Sequence, residues 1–528
     1  MKRIYCNGTI LTMATPIMAE AVCTEDGKIL AVGARNRLLQ NAPDAQLYDL
    51  DGCTLMPAFV DAHSHLSSFA ASLLQVALDE AADFDEIASR IRTFLSDHNI
   101  APGEWVIAKG YDHNALAERQ HPTRALLDAC APRNPLLLQH ASGHVGMLNT
   151  LALKKLGITA AAPVPQGGRI EVASGEPTGY LEENAFFAYL KQVPTPDGAA
   201  LLGAYQAAQD CYLAHGIPTI QEGMTVKEMI PLYQALLSHD LLKTDLVAYA
   251  SLADADALFA AFPNAVGKYD GHFKIGGYKI FLDGSPQGRT AWLRTPYVGA
   301  ADGYCGYGTM QDAEVVEAIE TAVAHNMQIL AHCNGDAAAQ QFLDALERVG
   351  RRCNIAALRP VLIHGQLLGR DQLVQVKRLG VTPSFFVAHL YHWGDVHIQS
   401  FGMARASAIS PTASALRAGI RFTFHQDSPV ILPDMFETIQ CAVSRVTKNG
   451  VLLGAEERIP VFEALKAVTV NAAWQSFEEN RKGSIAAGKD ADFVVLDRNP
   501  LAVPTAELHT IRVMQTILKD QVLYSART

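Results

Sequence analysis

Eight short apolar segments punctuate this chain, and each runs into polar or charged residues at its C-terminal end: LMPAFVDAHSHL, GIPTIQEG, DLVAYAS, GGYKIFLDG, MQILAHCNGD, RPVLIHGQ, GVTPSFF and IRFTFHQDSP. From residue 200 onward the stretches between them, such as DAEVVEAIETAVAHN and AAAQQFLDALERVG, carry apolar residues at helical spacing. Strands alternating with helices call for a parallel sheet, because each crossover helix returns the chain to its starting edge. Eight such units in series predict an α/β fold closed as a (β/α)8 TIM barrel, where functional residues gather at the C-terminal strand ends.

Two regions fall outside that pattern. Residues 1–55 and 483–528 read as short strands and turns, for example GKILAVGA and ADFVVLDRNP, and predict a small β-sandwich domain built from both chain ends. The barrel then occupies 56–482. The distance in sequence between Leu66 and the next strand near Ile217 is far more than one crossover helix needs. Residues 66–200 are therefore expected as an inserted subdomain, a lid over the barrel mouth that helps to build the substrate pocket.

A net charge of −11 argues against nucleic acid or an anionic membrane surface as partner, since both require basic patches. Apolar runs fall short of the about 18 residues of a membrane span. The N-terminal stretch MKRIYCNGTILTMATP is interrupted by Asn7 and Gly8 and reads as a strand and turn rather than a signal peptide. Nine cysteines without a CxxC pair suit a reducing compartment, so a cytoplasmic protein is expected.

The chemistry lies at the strand ends. In FVDAHSHL, His63 and His65 stand two residues apart and so face the same side. They suit a pair of metal ligands, or two satisfied histidines closing a strand. Lys279, His332, His364 and Asp427 end the fourth, fifth, sixth and eighth strands. Four imidazoles and a carboxylate on one rim suit Zn²⁺ or a similar borderline cation. Lys279 is the odd member. It pairs with a rim carboxylate such as Asp283, or CO₂ converts its amine to a carbamate, an anion able to bridge two metals.

With its order of HxH, Lys, His, His and Asp, and with the segments GGYKIFLDGS, HCNGDAA, FHQDSPV and GSIAAGKDADFVVLD, the chain resembles the amidohydrolase superfamily, in the amidohydrolase-3 branch that includes N-substituted formamide deformylases. The resemblance implies two divalent ions, zinc by preference, bridged by a carboxylated Lys279, or one ion if Lys279 stays unmodified. It implies hydrolysis of a C–N bond other than a peptide bond, in an amide, N-substituted formamide or cyclic amide. A metal-bound water whose pKa falls from about 15.7 to about 7 would attack the carbonyl, with Asp427 as general acid and base. A mononuclear deaminase on the same scaffold is the alternative, and an inactive binding scaffold the third reading. His425 and Gln426 precede Asp427, where the family commonly has small residues, and Asn334 is likewise unusual before Gly335-Asp336. His425 is expected in the core or behind the ligands, Cys333 toward the helix layer, and Glu222 either beside the site or as a rim charge.

For the pocket, His144 and Asn149 in HASGHVGMLNTLAL match the family's His and Asn in this segment. The loop expected after the seventh strand, SFFVAHLYHWGDVH, offers His389, Tyr391, His392 and Trp393. Its aromatic wall suits a small-molecule substrate with an apolar or aryl group beside its amide. A homodimer is left open.

Overall fold

The computed structural model describes residues 1–79, 81–141, 144–194 and 198–526. Seven parallel strands, Thr219–Thr225, Asp245–Ser251, Phe273–Phe281, Gln328–Cys333, Val361–His364, Thr382–Phe385 and Thr423–Phe424, pair in chain order. Asp245–Ser251 is buried along its whole length, as parallel strands covered on both faces are. The helices between them are set by local signals. Asp312–Ala324 begins with a reciprocal capping box between Gln311 and Glu314, which satisfies two of the backbone N–H groups that a helix start leaves unpaired.

The segment LMPAFVDAHSHL, expected as one strand, is split between two sheets. Thr54–Pro57 pairs with Phe493–Leu496. From Phe59 onward the backbone turns to the parallel sheet: the N–H of Phe59 donates to Gly216 O and that of Asp61 to Thr219 O, both at 3.0 Å. On its other side the N–H of Asp427 donates to His63 O (3.3 Å) and that of His65 to Ser428 O (2.9 Å). Residues 59–65 thus bond to the first of the seven strands and to the segment that follows the last.

Both chain ends contribute to two further sheets. One holds Lys28–Gly33, Ala21–Glu25, Lys2–Cys6 and Gln46–Asp49; the other holds Gln521–Ser525, Val513–Leu518, Phe493–Leu496, Thr54–Pro57, Thr9–Leu11 and Met18–Ala19. Tyr5, Val22, Ile29, Leu55, Phe493 and Ile517 share one buried core. Lys482, itself buried, donates to Asp245 Oδ2 (2.5 Å) and Thr219 Oγ1 (2.7 Å). A buried ammonium is tolerated because it is paired and hydrogen-bonded, and this one ties the C-terminal segment to the start of two parallel strands.

The chain divides into two compact units, residues 1–67 with 208–528, and residues 68–207. The second unit contains a six-stranded sheet in the order Gly168–Ala173, Glu176–Glu182, Val145–Leu148, Leu136–His140, Val106–Tyr111, Val76–Ala77. Its strands alternate between two cores. Leu136 and Leu138 pack with Ile87, Ile91 and Leu127, whereas Leu137 packs with Leu153, Leu181 and Phe186, as the period of two in a strand requires.

The stretch after the seventh strand is a helix, His389–Phe401, rather than the expected loop. Its buried residues His389, Leu390, Gly394, His397 and Phe401 recur at helical spacing. Counting its histidines as polar hides that pattern. Among the described residues no helix is long and apolar enough to cross a membrane.

Candidate metal centre and active site

Five of the six expected ligands lie within hydrogen-bonding or ion-pairing distance of one another. Asp427 Oδ1 is 3.5 Å from His63 Nε2 and 3.4 Å from His65 Nε2, and Asp427 Oδ2 is 3.9 Å from His364 Nε2. Lys279 Nζ lies 3.1 Å from His63 Nε2. His332 joins through its ring, 4.5 Å from that of His364.

Three partners set which nitrogens face this cluster. Gln221 Oε1 lies 2.7 Å from His63 Nδ1, so Nδ1 carries the proton and the Nε2 lone pair faces Lys279. Asp283 Oδ1 accepts from His332 Nδ1 at 3.0 Å, so Nε2 of that ring carries its lone pair, with the Asn334 Nδ2 amide 3.4 Å away. His364 Nδ1 contacts His425 Nε2 (3.1 Å), whose Nδ1 contacts Ser384 Oγ (2.9 Å). With His425 donating to Ser384, it accepts from His364, and the Nε2 of His364 is likewise left bare. Neither Gln221 nor Asp283 was assigned this role from sequence. The alternative pairing of Lys279 with Asp283 is not what the structure shows, because that carboxylate also accepts the N–H groups of Asn334 (2.9 Å), Gly335 (2.7 Å) and Trp292 (3.1 Å). Glu222 is buried and accepts from Ser67 and Tyr233.

Burial decides the charges. It holds His63 and His364 well below the usual imidazole range, with Lys279 adding to the effect on His63 and His332 on His364. Burial lowers Lys279 to about 7, against the opposing pull of Asp427. For Asp427 burial pushes upward, but the imidazoles of His364, His65 and His63 outweigh it and keep the carboxyl well below its ordinary value. His364 and Asp427 both adopt left-handed backbone, at φ of 75° and 56°, a cost that persists where surrounding structure enforces it and that concentrates at functional sites.

These donors fit a cation. Asp427 Oδ1 is buried and has no hydrogen-bond partner among the described residues, although the Nε2 atoms of His63, His65 and His364 lie 3.4–3.9 Å from the carboxylate. An acceptor set without a matching donor is costly in a dry site and is satisfied by a divalent metal of the kind that imidazole and carboxylate select. His63, His65 and Asp427 offer ligand atoms within 4.8 Å of one another.

The profile of the amidohydrolase family matches residues 46–524. The chain belongs to the amidohydrolase family. It is 29% identical to the putative amidohydrolase YtcJ of Bacillus subtilis, over 99% of both chains. It is 30% identical to the N-substituted formamide deformylase of Arthrobacter pascens, over 97% of this chain and 95% of that one. The crystal structure of an uncharacterized metal-dependent hydrolase from Pyrococcus furiosus is 26% identical, with a TM-score of 0.76, covering 95% of this chain and all of that one (100%).

The residues expected to hold substrate are placed as follows. His389 is buried, with Nδ1 2.7 Å from His397 Nε2 and its ring 4.4 Å from Trp393. Asn149 has a different task. Its Oδ1 accepts from the N–H of Leu136 (3.0 Å) and of Ala152 (2.9 Å), and its Nδ2 donates to Ala131 O (3.2 Å) and Asn134 O (2.9 Å). It caps the helix Thr150–Lys155, so its amide has no capacity left for a substrate. Asn before the helical run TLALKK is a capping signal legible in sequence. His144 is exposed, with Nδ1 3.0 Å from Glu183 Oε2. Ser142 and Gly143 beside it lie outside the described residues.

Two substitutions probe the supports. Asp283→Asn is expected to weaken divalent-metal affinity by about 10- to 100-fold, the usual cost of losing an orienting partner of a ligand, read by chelator competition; unchanged affinity would mean that Asp283 does not orient His332. At Gly223 a Cβ would fall 2.4 Å from His63 Cε1 and 2.8 Å from Ser64 O. Gly223→Ala is expected to displace the His63 ring, costing about 1–3 kcal/mol of stability in denaturant unfolding together with metal content.

Proposed function

We propose that this protein hydrolyses a C–N bond in an amide, N-substituted formamide or cyclic amide, on an eight-stranded barrel whose mouth holds divalent metal through His63, His65, Lys279, His332, His364 and Asp427. The observation that carries the reading is the unpartnered Asp427 Oδ1 facing the Nε2 atoms of His63 and His65, the first of these rings being fixed from its far side by Gln221. Bonding of residues 59–65 to strand Thr219–Thr225 and to 427–428 supports closure of the barrel. These residues would hold two ions of the zinc class, and a carbamate formed at Lys279 would supply the anion that both need. The buried Lys279 amine, lowered to about 7, is substantially uncharged at neutral pH, so its lone pair is free to add to CO₂ with release of one proton.

When bound, such ions supply an acidified water and a Lewis acid for the carbonyl. Asp427 would serve as the proton carrier, taking a proton from the attacking water and delivering it to the leaving nitrogen, which departs poorly unless protonated. The wall beside it is aromatic. Phe386 lies 5.1 Å from His389, 6.1 Å from Trp393 and 5.4 Å from His425 between ring centroids, and Phe386, His389 and His425 are buried, so these rings pack as a layer beside the ligand cluster. Trp393, the less buried member of this group, is the residue by which an apolar or aryl substrate group would be met, and the deformylase relative supports the C–N bond class alone. Nine free thiols support a cytoplasmic setting.

The test is turnover by zinc-loaded protein on N-substituted formamides, aryl amides, cyclic amides, lactones and aminopurines, with the Asp427→Asn protein as blank. Amine release from formamides or amides is expected. Ammonia release from aminopurines by a chain holding one metal would replace this reading with the deaminase.

A further inference from the structure

A second group of ligand-type side chains lies within residues 68–207 and shares no member with the centre described above. Strands Val106–Tyr111 and Leu136–His140 run parallel and adjacent, but their register slips at the end: Lys109 pairs with Gln139, and Tyr111 with His140. Gly110 is the extra residue of this bulge, at φ 98°, and a Cβ there would lie 2.4 Å from Asp79 Oδ1. Bulges re-aim the residues that follow them and occur beside functional sites. Here the bulge delivers Asp112 and His113, which follow the first strand, to His140 at the end of the second.

The donor atoms form a compact triangle. His113 Nδ1 is 3.0 Å from His140 Nε2, and Asp112 Oδ1 is 3.6 Å from His140 Nε2 and 3.9 Å from His113 Nδ1. Ligands about 2.0–2.1 Å from a tetrahedral ion lie about 3.3–3.5 Å from each other, which these separations bracket. Two of the three are positioned by neighbours: Asp112 Oδ1 also accepts from Asn114 N (2.9 Å) and Nδ2 (3.2 Å), which fixes where this oxygen points. The His113 ring stacks on His121 at 4.1 Å, and His121 Nδ1 is 3.0 Å from Tyr111 Oη. Side-chain exposures of 46% for Asp112, 30% for His113 and 10% for His140 leave a path for an ion.

We propose that Asp112, His113 and His140 form a binding site for one divalent transition-metal ion of the zinc class. Two imidazoles and a carboxylate are the donor types such ions take, and three protein ligands leave a fourth position for water or an exogenous ligand. The competing account is a plain N–H···N hydrogen bond between the two rings, with Asp112 only shaping the turn through Asn114.

The test uses the full chain, stripped with chelator, equilibrated with excess Zn²⁺, desalted and assayed for zinc per chain. The His113→Gln/His140→Gln protein is expected to hold one zinc fewer than the parent. A His63→Ala/His65→Ala protein is expected to lose zinc from the other centre yet keep this one, so failure here and failure of the hydrolase centre are separately visible. Equal zinc in the parent and in a folded His113→Gln/His140→Gln protein overturns the proposal. If circular dichroism shows that variant unfolded, a zinc-edge anomalous difference map of the parent decides. A peak bonded to both His113 Nδ1 and His140 Nε2 supports the site, and a map without one there overturns it.

Discussion

Lys279→Ala is expected to lose at least one metal ion per chain and to lower kcat/KM by roughly 10³-fold, the scale on which a preorganised electrostatic group acts. On the proposed arrangement the alanine would leave no anion to serve two cations. A short carboxylic acid added to the variant should restore part of both metal and activity by entering the vacated space, whereas Lys279→Arg should not, because a guanidinium keeps its charge. If Lys279 is structural instead, the alanine protein will be less stable but will keep its metal and measurable turnover. Density for an unmodified amine in an active, fully loaded crystal would also remove the bridge. The metal-free protein offers a further check. Between about 7, where the folded amine titrates, and its ordinary 10.5, the unfolded chain holds a proton that the folded chain lacks. The contribution of Lys279 to stability therefore rises with pH across that window, and Lys279→Met should abolish the rise in denaturant unfolding.

Asp427→Asn should cost about 10²- to 10⁴-fold in turnover, the range for removing a positioned proton-transfer group. Asparagine accepts the left-handed backbone at this position (φ 56°) as readily as aspartate does, so the fold should survive. An amide can neither take the proton of water nor return it to nitrogen. Near-normal turnover with normal metal content would show that Asp427 is a turn residue and that another group moves the proton.

Much of this was legible in the chain itself because strand ends advertise themselves. Bringing together His63 and His65 at spacing two, and Lys279, His332, His364 and Asp427 each closing an apolar run, needed only the period of a strand and the chain order of parallel strands. What the sequence concealed depends on neighbours distant in the chain. Gln221 orients His63 and Asp283 orients His332, yet each reads as one more polar residue at a strand end. Asn149 was placed at substrate by likeness, although its local context spells a helix cap. The His389–Phe401 helix was hidden because buried histidines at helical spacing do not register as an apolar stripe. The six-stranded sheet of residues 68–207 was hidden for a related reason: with a core on each face, its strands lack the one-sided alternation that marks a half-buried sheet.

The split of LMPAFVDAHSHL between two sheets has a consequence for the order of events during synthesis. The strand Thr54–Pro57 waits for Phe493–Leu496, and the segment carrying His63 and His65 waits for residues 427–428 on one of its sides. A nascent chain exposes both histidines early and can lock them into place only when nearly all of it has left the ribosome. Contacts so remote in sequence form slowly, and partly folded chains expose apolar surface in the meantime. The unit of residues 68–207 has no such dependence within its own sheet, whose strand partners are all drawn from that one stretch. It is positioned to fold first, while His63 and His65 still wait for their neighbours.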